Sequence, residues 1–167
     1  MARQIVLIRH AKSSWNNPGQ SDFDRPLNER GKEDAPDMGR RLKEAGILPD
    51  LIVSSTAKRA QQTARLISDE VGFSTTNIES RDELYHAPPS VFESIIHSLD
   101  NKFETVFFVA HNPGITEFAA SLDPNYSIND MPTCTTVGVR IDADEWSDFH
   151  KAAKTVFLFD TPKRKNA

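Results

Sequence analysis

Apolar and polar segments alternate along the chain in lengths that are typical of strands and helices. The runs 4–9 and 105–110 are rich in β-branched and aromatic residues, and they lead directly into His10 and His111. Such nearly continuous apolar runs indicate strands of a parallel sheet that is covered on both faces. Open α/β sheets bind ligands at the carboxyl ends of their strands, so both imidazoles are expected in one crevice. The pattern therefore predicts a catalytic site at this end of the sheet.

Strand-like and helix-like segments follow one another through the rest of the sequence. Apolar residues at helical spacing predict helices over 28–45, 57–71, 89–99 and 114–122. Shorter apolar runs predict strands over 50–55, 77–80, 135–141 and 155–159, of which the last two are compatible with a hairpin. This alternation predicts an α/β fold, a three-layer α/β/α sandwich with a mostly parallel central sheet.

Two features interrupt this pattern. Pro36 lies within the first predicted helix, where a proline is tolerated only in the first turns. The polar segment between His10 and about Pro26 is longer than a simple connector, so we interpret it as a functional loop. Within it, Asp24 and Arg25 are candidates for an ion pair or for steering a substrate.

Length, charge and cysteine content narrow the class of protein. The 167 residues are expected to form a single domain over 1–167, with 163–167 as a disordered tail. A formal net charge of -4 without a dense basic stripe argues against nucleic acid or a membrane surface as partner. No apolar stretch approaches the roughly 20 residues that span a bilayer, and no signal peptide is recognised. With one cysteine, Cys134, and hence no internal disulfide, the chain is predicted to be cytoplasmic.

The residues at the predicted strand ends suit phosphoryl chemistry. Arg9 precedes His10, and the turn 54–59 offers hydroxyls, amide N–H groups and Arg59 where the second strand meets a helix. Such turns bind anions, and guanidinium groups bind phosphoryl oxygens in a bidentate fork. A neutral imidazole between two arginines can attack phosphorus and form a phosphohistidine. This chemistry requires no metal or cofactor.

Four ordered motifs resemble those of a known family. The segment 9–16 is similar to the Arg-His-Gly signature of the histidine phosphatase superfamily, whose fold is phosphoglycerate mutase-like. The segments 25–31, 54–64 and 111–114 resemble its Pro-Leu-Thr-x-x-Gly segment, its second-arginine motif and its second histidine. The resemblance covers most of the chain and implies the same fold, without the large cap insertion of mutases and phytases.

The resemblance implies a role for each matching residue. His10 would be the phosphorylated nucleophile, and Arg9, Arg59 and His111 would complete the phosphate pocket. Two further residues are implied to contact phosphate, namely Asn16 in the loop and Asn112 through its backbone N–H.

Ala11 stands where the superfamily usually has glycine, as in the small SixA-type phosphohistidine phosphatases, which this chain resembles best. The implied substrate is a phosphohistidine on a protein, for instance a histidine phosphotransfer domain, in a pocket that stays open if the loops 13–26 and 85–89 do not fold over it. Two alternatives remain at this point. The chain is a phosphomonoesterase or mutase for a small molecule, or a phosphate-binding module without turnover.

The general acid of the superfamily has no clear counterpart. Many members carry a glutamate or aspartate there, whereas spacing places His86 at this position, with Glu83 as the alternative if the register differs. A histidine can donate a proton near neutral pH. A phosphoramidate can also leave with its own imidazole protonated, so a phosphohistidine phosphatase could function without a strong acid.

Other chemistry-bearing residues receive simpler interpretations. Cys134 and Arg140 have the Cys-x5-Arg spacing of cysteine phosphatases, but the residues between them alternate like a strand, and no neighbour would lower the thiol pKa. Asp142 and Asp144 mimic the aspartate pair of magnesium-dependent phosphatases and are interpreted as an exposed turn.

Overall fold

A single six-stranded sheet organises the computed structural model, which describes residues 2–164. Its strands are β1 (Arg3–Arg9), β2 (Leu51–Ser55), β3 (Glu79–Arg81), β4 (Thr105–Ala110), β5 (Thr136–Ile141) and β6 (Lys154–Asp160). The strand order is β3-β2-β4-β1-β5-β6. β1 to β4 run parallel, and β5 and β6 are antiparallel to their neighbours, which confirms the predicted hairpin.

Two pairs of helices cover the two faces of the sheet. The helices are α1 (Glu29–Glu44), α2 (Lys58–Val71), α3 (Pro89–His97) and α4 (Gly114–Ala120). Side chains of α1 and α2 pack with Val6, Ile8 and Phe107, whereas those of α3 and α4 pack with Leu7 and Phe108. Alternate residues of β1 and β4 thus enter opposite cores, since side chains along a strand point to opposite faces. The predicted three-layer sandwich is confirmed.

The third strand begins later than the sequence predicts. A 3-10 turn occupies Thr75–Asn77, and β3 pairs with β2 only from Glu79 to Arg81. The predicted strand over 77–80 therefore overlaps β3 in two residues. Asn77, where the predicted strand begins, is the last residue of this turn instead.

Pro36 does not interrupt the helix that is predicted over 28–45. It lies well inside α1 rather than in the first turns, and the helix continues to Glu44. A proline there removes one backbone hydrogen bond. Ala35, Met38 and Leu42 are buried on either side of it, and this packing keeps the segment helical.

The register of the central strands determines where the two histidines lie. Arg9 of β1 pairs with Ala110 of β4, so His10 and His111 follow directly at the same edge. At the other end of the chain, Lys163 and Arg164 are exposed, while the tail residues 165–167 lie outside the described part. Within residues 2–164, no helix is long and apolar enough to cross a membrane.

Candidate active site

His10 is held by backbone contacts on both sides of its strand. Its N–H donates to the carbonyl oxygen of Ala110 at 3.0 Å, and its carbonyl accepts from Cys134 N at 3.0 Å. The ring Nδ1 lies 2.7 Å from the carbonyl oxygen of Ala11. Because a carbonyl only accepts, Nδ1 carries the proton and Nε2 keeps its lone pair. Nε2 faces Arg59, whose Nε is 3.4 Å away.

Burial controls the charge of this ring. His10 is 7% exposed. Burial, with the nearby charges of Arg59 and Arg9, lowers the pKa of His10 from 6.5 to about 3. The imidazole is therefore neutral at neutral pH, the state in which a nitrogen lone pair can attack phosphorus.

Arg59 lies in the first turn of α2 and connects the nucleophile to a surface loop. The helix begins after Ala57, so its first N–H groups face the same end of the sheet as His10. The Arg59 side chain is 4% exposed. Its Nη1 donates to the carbonyl oxygen of Asp22 at 2.7 Å, and its Nη2 donates to Asp22 Oδ2 at 3.1 Å. One guanidinium thus reaches both His10 and a loop carboxylate.

His111 lies against His10, with ring centroids 5.1 Å apart. Its Nε2 is 2.7 Å from Ser55 Oγ, which also accepts from the N–H of Ala57. If the serine hydroxyl donates to Nε2, the proton is on Nδ1, a buried atom with no hydrogen-bond partner among residues 2–164. Burial and the charges of His10 and Arg59 lower the pKa of His111 to about 2.

Arg9 is anchored on the other side of the nucleophile. Its Nη1 donates to the carbonyl oxygen of Met131 at 2.9 Å. Its Nε is buried without a hydrogen-bond partner in the described part of the chain. Such a donor is suited to an incoming anion, because leaving it unsatisfied is unfavourable.

The two asparagines implied by the resemblance occupy different surroundings. Asn16 is exposed, and its N–H donates to Ser14 Oγ at 3.1 Å. Its side chain makes no recorded contact with the histidines or arginines of residues 2–164. Asn112 directly follows His111, and its side-chain amide donates to Asp130 and to the carbonyl oxygen of Met131, both at 3.2 Å. Phosphate contacts of both residues stay predictions.

Two loops meet above Arg59 at the contact between Asp22 and Tyr85. Tyr85 Oη donates to Asp22 Oδ2 at 2.5 Å, and the Phe23 and Tyr85 rings meet edge to face at 5.1 Å. Among residues 2–164, no large insertion covers the sheet edge, but the loops 13–26 and 85–89 are joined by this contact. The predicted open pocket therefore has a small bridge at its rim.

Arg25 pairs with a residue that sequence reasoning missed. Its Nε and Nη2 donate to Asp22 Oδ1 at 3.1 and 2.9 Å, whereas Asp24 accepts from Ser21 Oγ. The proposed Asp24–Arg25 ion pair is therefore absent from the described contacts. The Arg25 guanidinium also stacks on exposed Trp15, 3.6 Å from the ring centroid. This irregular loop has no periodic pattern of apolar residues that could place Asp22. The one sequence feature that could have indicated Asp22 is its position just before the Arg-Pro-Leu segment.

The two candidates for a general acid are separated by the structure. His86 lies at the rim, with Nε2 3.8 Å from Asp22 Oδ2 and its ring centroid 6.1 Å from that of His111. Glu83 lies beside Arg81 instead, at 3.8 Å. His86 is thus the candidate nearer to the histidines.

Gly114 allows the turn that follows His111 to pack closely against the loop 85–89. A Cβ at this position would overlap the carbonyl oxygen of Ala87. The backbone after His111 can therefore approach the loop that carries Tyr85 and His86 only because residue 114 has no side chain.

The motifs given simpler interpretations lie outside this site. Cys134 is fully buried just before β5, and burial raises the pKa of its thiol. Arg140, the other end of its motif, lies within β5. Asp142 and Asp144 are exposed between β5 and β6, in agreement with the predicted turn.

Sequence and structure comparisons identify the class of protein. The profile described as histidine phosphatase superfamily (branch 1) matches residues 5–121, and the chain belongs to this superfamily. An uncharacterised chloroplastic protein of Arabidopsis thaliana is 30% identical over 156 residues, 89% of this chain and 71% of that protein.

Solved structures refine this assignment. A protein from Nakamurella multipartitia assigned as the phosphohistidine phosphatase SixA has a TM-score of 0.85 at 26% identity, over 98% of each chain. Another, from Agrobacterium tumefaciens, has a TM-score of 0.79 at 27% identity, over 96% of this chain and 98% of that one. The predicted fold and family are confirmed, and they support a phosphatase.

The neutral buried histidines predict how stability depends on pH. Both folded pKa values lie below the 6.5 of an ordinary histidine, so unfolding takes up protons as the pH falls from 6.5 towards 3. The free energy of unfolding is expected to fall in this window, by at most about 1.4 kcal/mol per pH unit for each histidine. Urea unfolding of wild type at successive pH values measures this slope.

Two variants test whether this pH dependence of the free energy of unfolding comes from the histidines of the site. His111→Asn is expected to reduce it, whereas His97→Asn, at an exposed position, is expected to leave it unchanged. A slope that is the same in His111→Asn as in wild type would contradict the assignment.

Proposed function

We propose that the chain is a metal-independent phosphatase that forms a phosphohistidine on His10 and removes phosphate from phosphohistidine on a protein. The observation that carries this proposal is the lone pair of His10 Nε2, fixed towards Arg59 by the Nδ1 contact to Ala11 O. A preoriented neutral nucleophile beside a guanidinium is what phosphoryl transfer requires.

The reaction would proceed in two displacements. In the first, Nε2 of His10 forms a bond to phosphorus, and the bond between phosphorus and the substrate's ring nitrogen breaks, its electron pair going to that nitrogen. In the second, a water oxygen bonds to phosphorus, and the electron pair of the broken bond returns to Nε2. The protons of the water remain with the phosphate product. Arg9, Arg59 and the Nδ1–H of His111 would stabilise the phosphoryl oxygens.

A cationic groove beside the site supports a protein as the substrate. This groove has a volume of about 460 Å3, and its lining includes four cationic side chains, those of Arg9, Lys12, Arg30 and Lys163. The carboxylate of Asp34 also lines it and is paired with Arg30 at 3.1 Å. The chain as a whole carries a net charge of -4, so this mainly cationic groove is opposite in charge to the rest of the protein. Arg9 lines the groove and its charge also acts on His10, so an acidic protein surface docked there would lie near the nucleophile.

Charge reversal in the groove should separate protein substrates from small ones. Lys12→Glu is expected to lower kcat/KM for a histidine-phosphorylated protein about ten-fold at low salt and much less at high salt. Phosphoimidazole, which has no protein surface to dock in the groove, should be turned over by Lys12→Glu almost as fast as by wild type. Lys43→Glu makes the same charge change near the far end of α1 and serves as the control. Equal loss with both substrates would refute a docking role for the groove.

The assay that tests the function compares substrate classes directly. Phosphate release is measured from a histidine-phosphorylated phosphotransfer domain and from a panel of phosphomonoesters. Rapid release from the protein alone supports the proposal. Preference for an ester supports a small-molecule phosphomonoesterase or mutase instead, and binding of vanadate without any turnover supports a phosphate-binding module. A cytoplasmic location is part of the proposal and is consistent with one buried, unpaired cysteine.

A further inference from the structure

Asp22 lies at the end of the Arg59 guanidinium that is directed away from His10 Nε2. Attack by His10 is in line, so the leaving group departs on the side of phosphorus away from Nε2. Arg59 spans this direction, with its Nε facing His10 Nε2 at 3.4 Å and its Nη2 on Asp22 Oδ2 at 3.1 Å. Tyr85 and His86 contact the same carboxylate oxygen, at 2.5 and 3.8 Å. The groups around Asp22 thus form the far wall of the phosphoryl site.

This carboxylate is ionised. Burial alone would raise the pKa of Asp22, but hydrogen bonds from Tyr85 and Arg25 and the charge of Arg59 hold it well below its usual range. An ionised carboxylate has no proton to give to a leaving oxygen. It accepts hydrogen bonds and favours a positive charge nearby.

Leaving groups differ in the charge that they present at this position. The ring of a phosphohistidine is protonated on the nitrogen that is not bonded to phosphorus when it is ready to leave, so it presents a cationic N–H. A phosphomonoester builds negative charge on its leaving oxygen instead. The carboxylate of Asp22 would stabilise the first and repel the second.

We propose that Asp22 determines specificity for phosphohistidine, by accepting a hydrogen bond from the distal N–H of the substrate's imidazolium ring. This inference rests on the proposed function and adds to it the residue that recognises the leaving group. Both oxygens of Asp22 are already bonded, Oδ1 by Arg25 and Oδ2 by Arg59 and Tyr85. When phosphoryl oxygens engage Arg59, its bond to Oδ2 is exchanged. Oδ2 keeps the hydrogen bond from Tyr85, and the lone pair that Arg59 occupied can accept from the leaving ring.

The bonds balance in this step. The proton stays on the distal nitrogen throughout, while the electron pair of the broken bond goes to the nitrogen that leaves phosphorus. The product is a neutral imidazole, and Asp22 remains an anion. No proton has to come from the protein, so this step does not depend on an acid at His86 or Glu83.

Removing the charge tests this assignment. In Asp22→Asn, kcat/KM for phosphoimidazole and for the phosphorylated domain is expected to fall about ten-fold or more, the effect of losing a charge-assisted hydrogen bond. The value for p-nitrophenyl phosphate should stay the same or rise. Asp22→Glu retains the charge and is expected to retain the preference. Asp24→Asn removes an equal charge from the same turn, away from Arg59, and should behave as wild type.

The outcomes distinguish the inference from its rivals. A parallel fall with both substrate types would overturn it, as would a larger fall with the ester, which would show Asp22 positioning His86 as an acid. A parallel rise would show that Asp22 only blocks the arginine. Wild type without turnover of phosphohistidine would refute the proposed function itself, and the inference with it.

Discussion

His10→Ala is expected to lower turnover by at least about 10³-fold, because it removes the atom that accepts the phosphoryl group. The rest of the pocket should persist, since Arg59 is also held by Asp22 and His111 by Ser55. Rapid quenching after mixing with a radiolabelled phosphorylated domain measures the covalent intermediate, which should be labelled in wild type and unlabelled in the variant.

His97→Ala is the matched control for this experiment. His97 and His150 are both exposed and contact each other. Labelling of His10→Ala at the wild-type level would place the nucleophile elsewhere. Normal turnover by His10→Ala, with no labelled enzyme in either protein, would instead indicate direct attack by water.

Arg59→Ala should have the second-largest effect, a loss of about 10²- to 10³-fold in kcat/KM. The substitution removes the donor that faces His10 and also releases Asp22. Arg59→Lys keeps a positive charge but lacks the planar fork, so its activity should lie between those of wild type and Arg59→Ala. Steady-state kinetics on phosphoimidazole measure both variants.

Arg65→Ala is the matched control, because it removes an arginine from an exposed position of the same helix. It tests whether the loss of any arginine from α2 lowers kcat/KM. Circular dichroism of each variant reports whether the helix is intact. If Arg59→Ala retained wild-type kinetics while folded, Arg59 would have no part in binding the phosphoryl group.

The sequence predicted the central part of the site because regular elements position it. His10 and His111 each follow a buried strand, and adjacent parallel strands bring their carboxyl ends together whatever the loops do. Arg59 could be placed in the same way, since it opens a helix directly after β2. The positions of these residues follow from the periodic patterns of strands and helices, and such patterns can be recognised in a sequence.

The rim of the site could not be predicted in this way. Asp22 reaches Tyr85 across 63 positions of sequence, through two irregular loops whose paths no periodic pattern records. The pairing of Arg25 with Asp22 rather than Asp24 depends on a single 3-10 turn. Pro36 is the converse case, because the helical spacing of its apolar neighbours predicted α1 in spite of the proline.

β1 has hydrogen-bonded neighbours on both sides, β4 and β5, and so lies in the interior of the sheet. Asp22 belongs to a 3-10 turn in a surface loop, and no residue of that turn is buried. Substitutions near the nucleophile would disturb the core, whereas substitutions within the turn Asp22–Asp24 would not. Over evolutionary time, descendants of this chain could therefore acquire new substrates by changing one loop, while inheriting the same covalent chemistry.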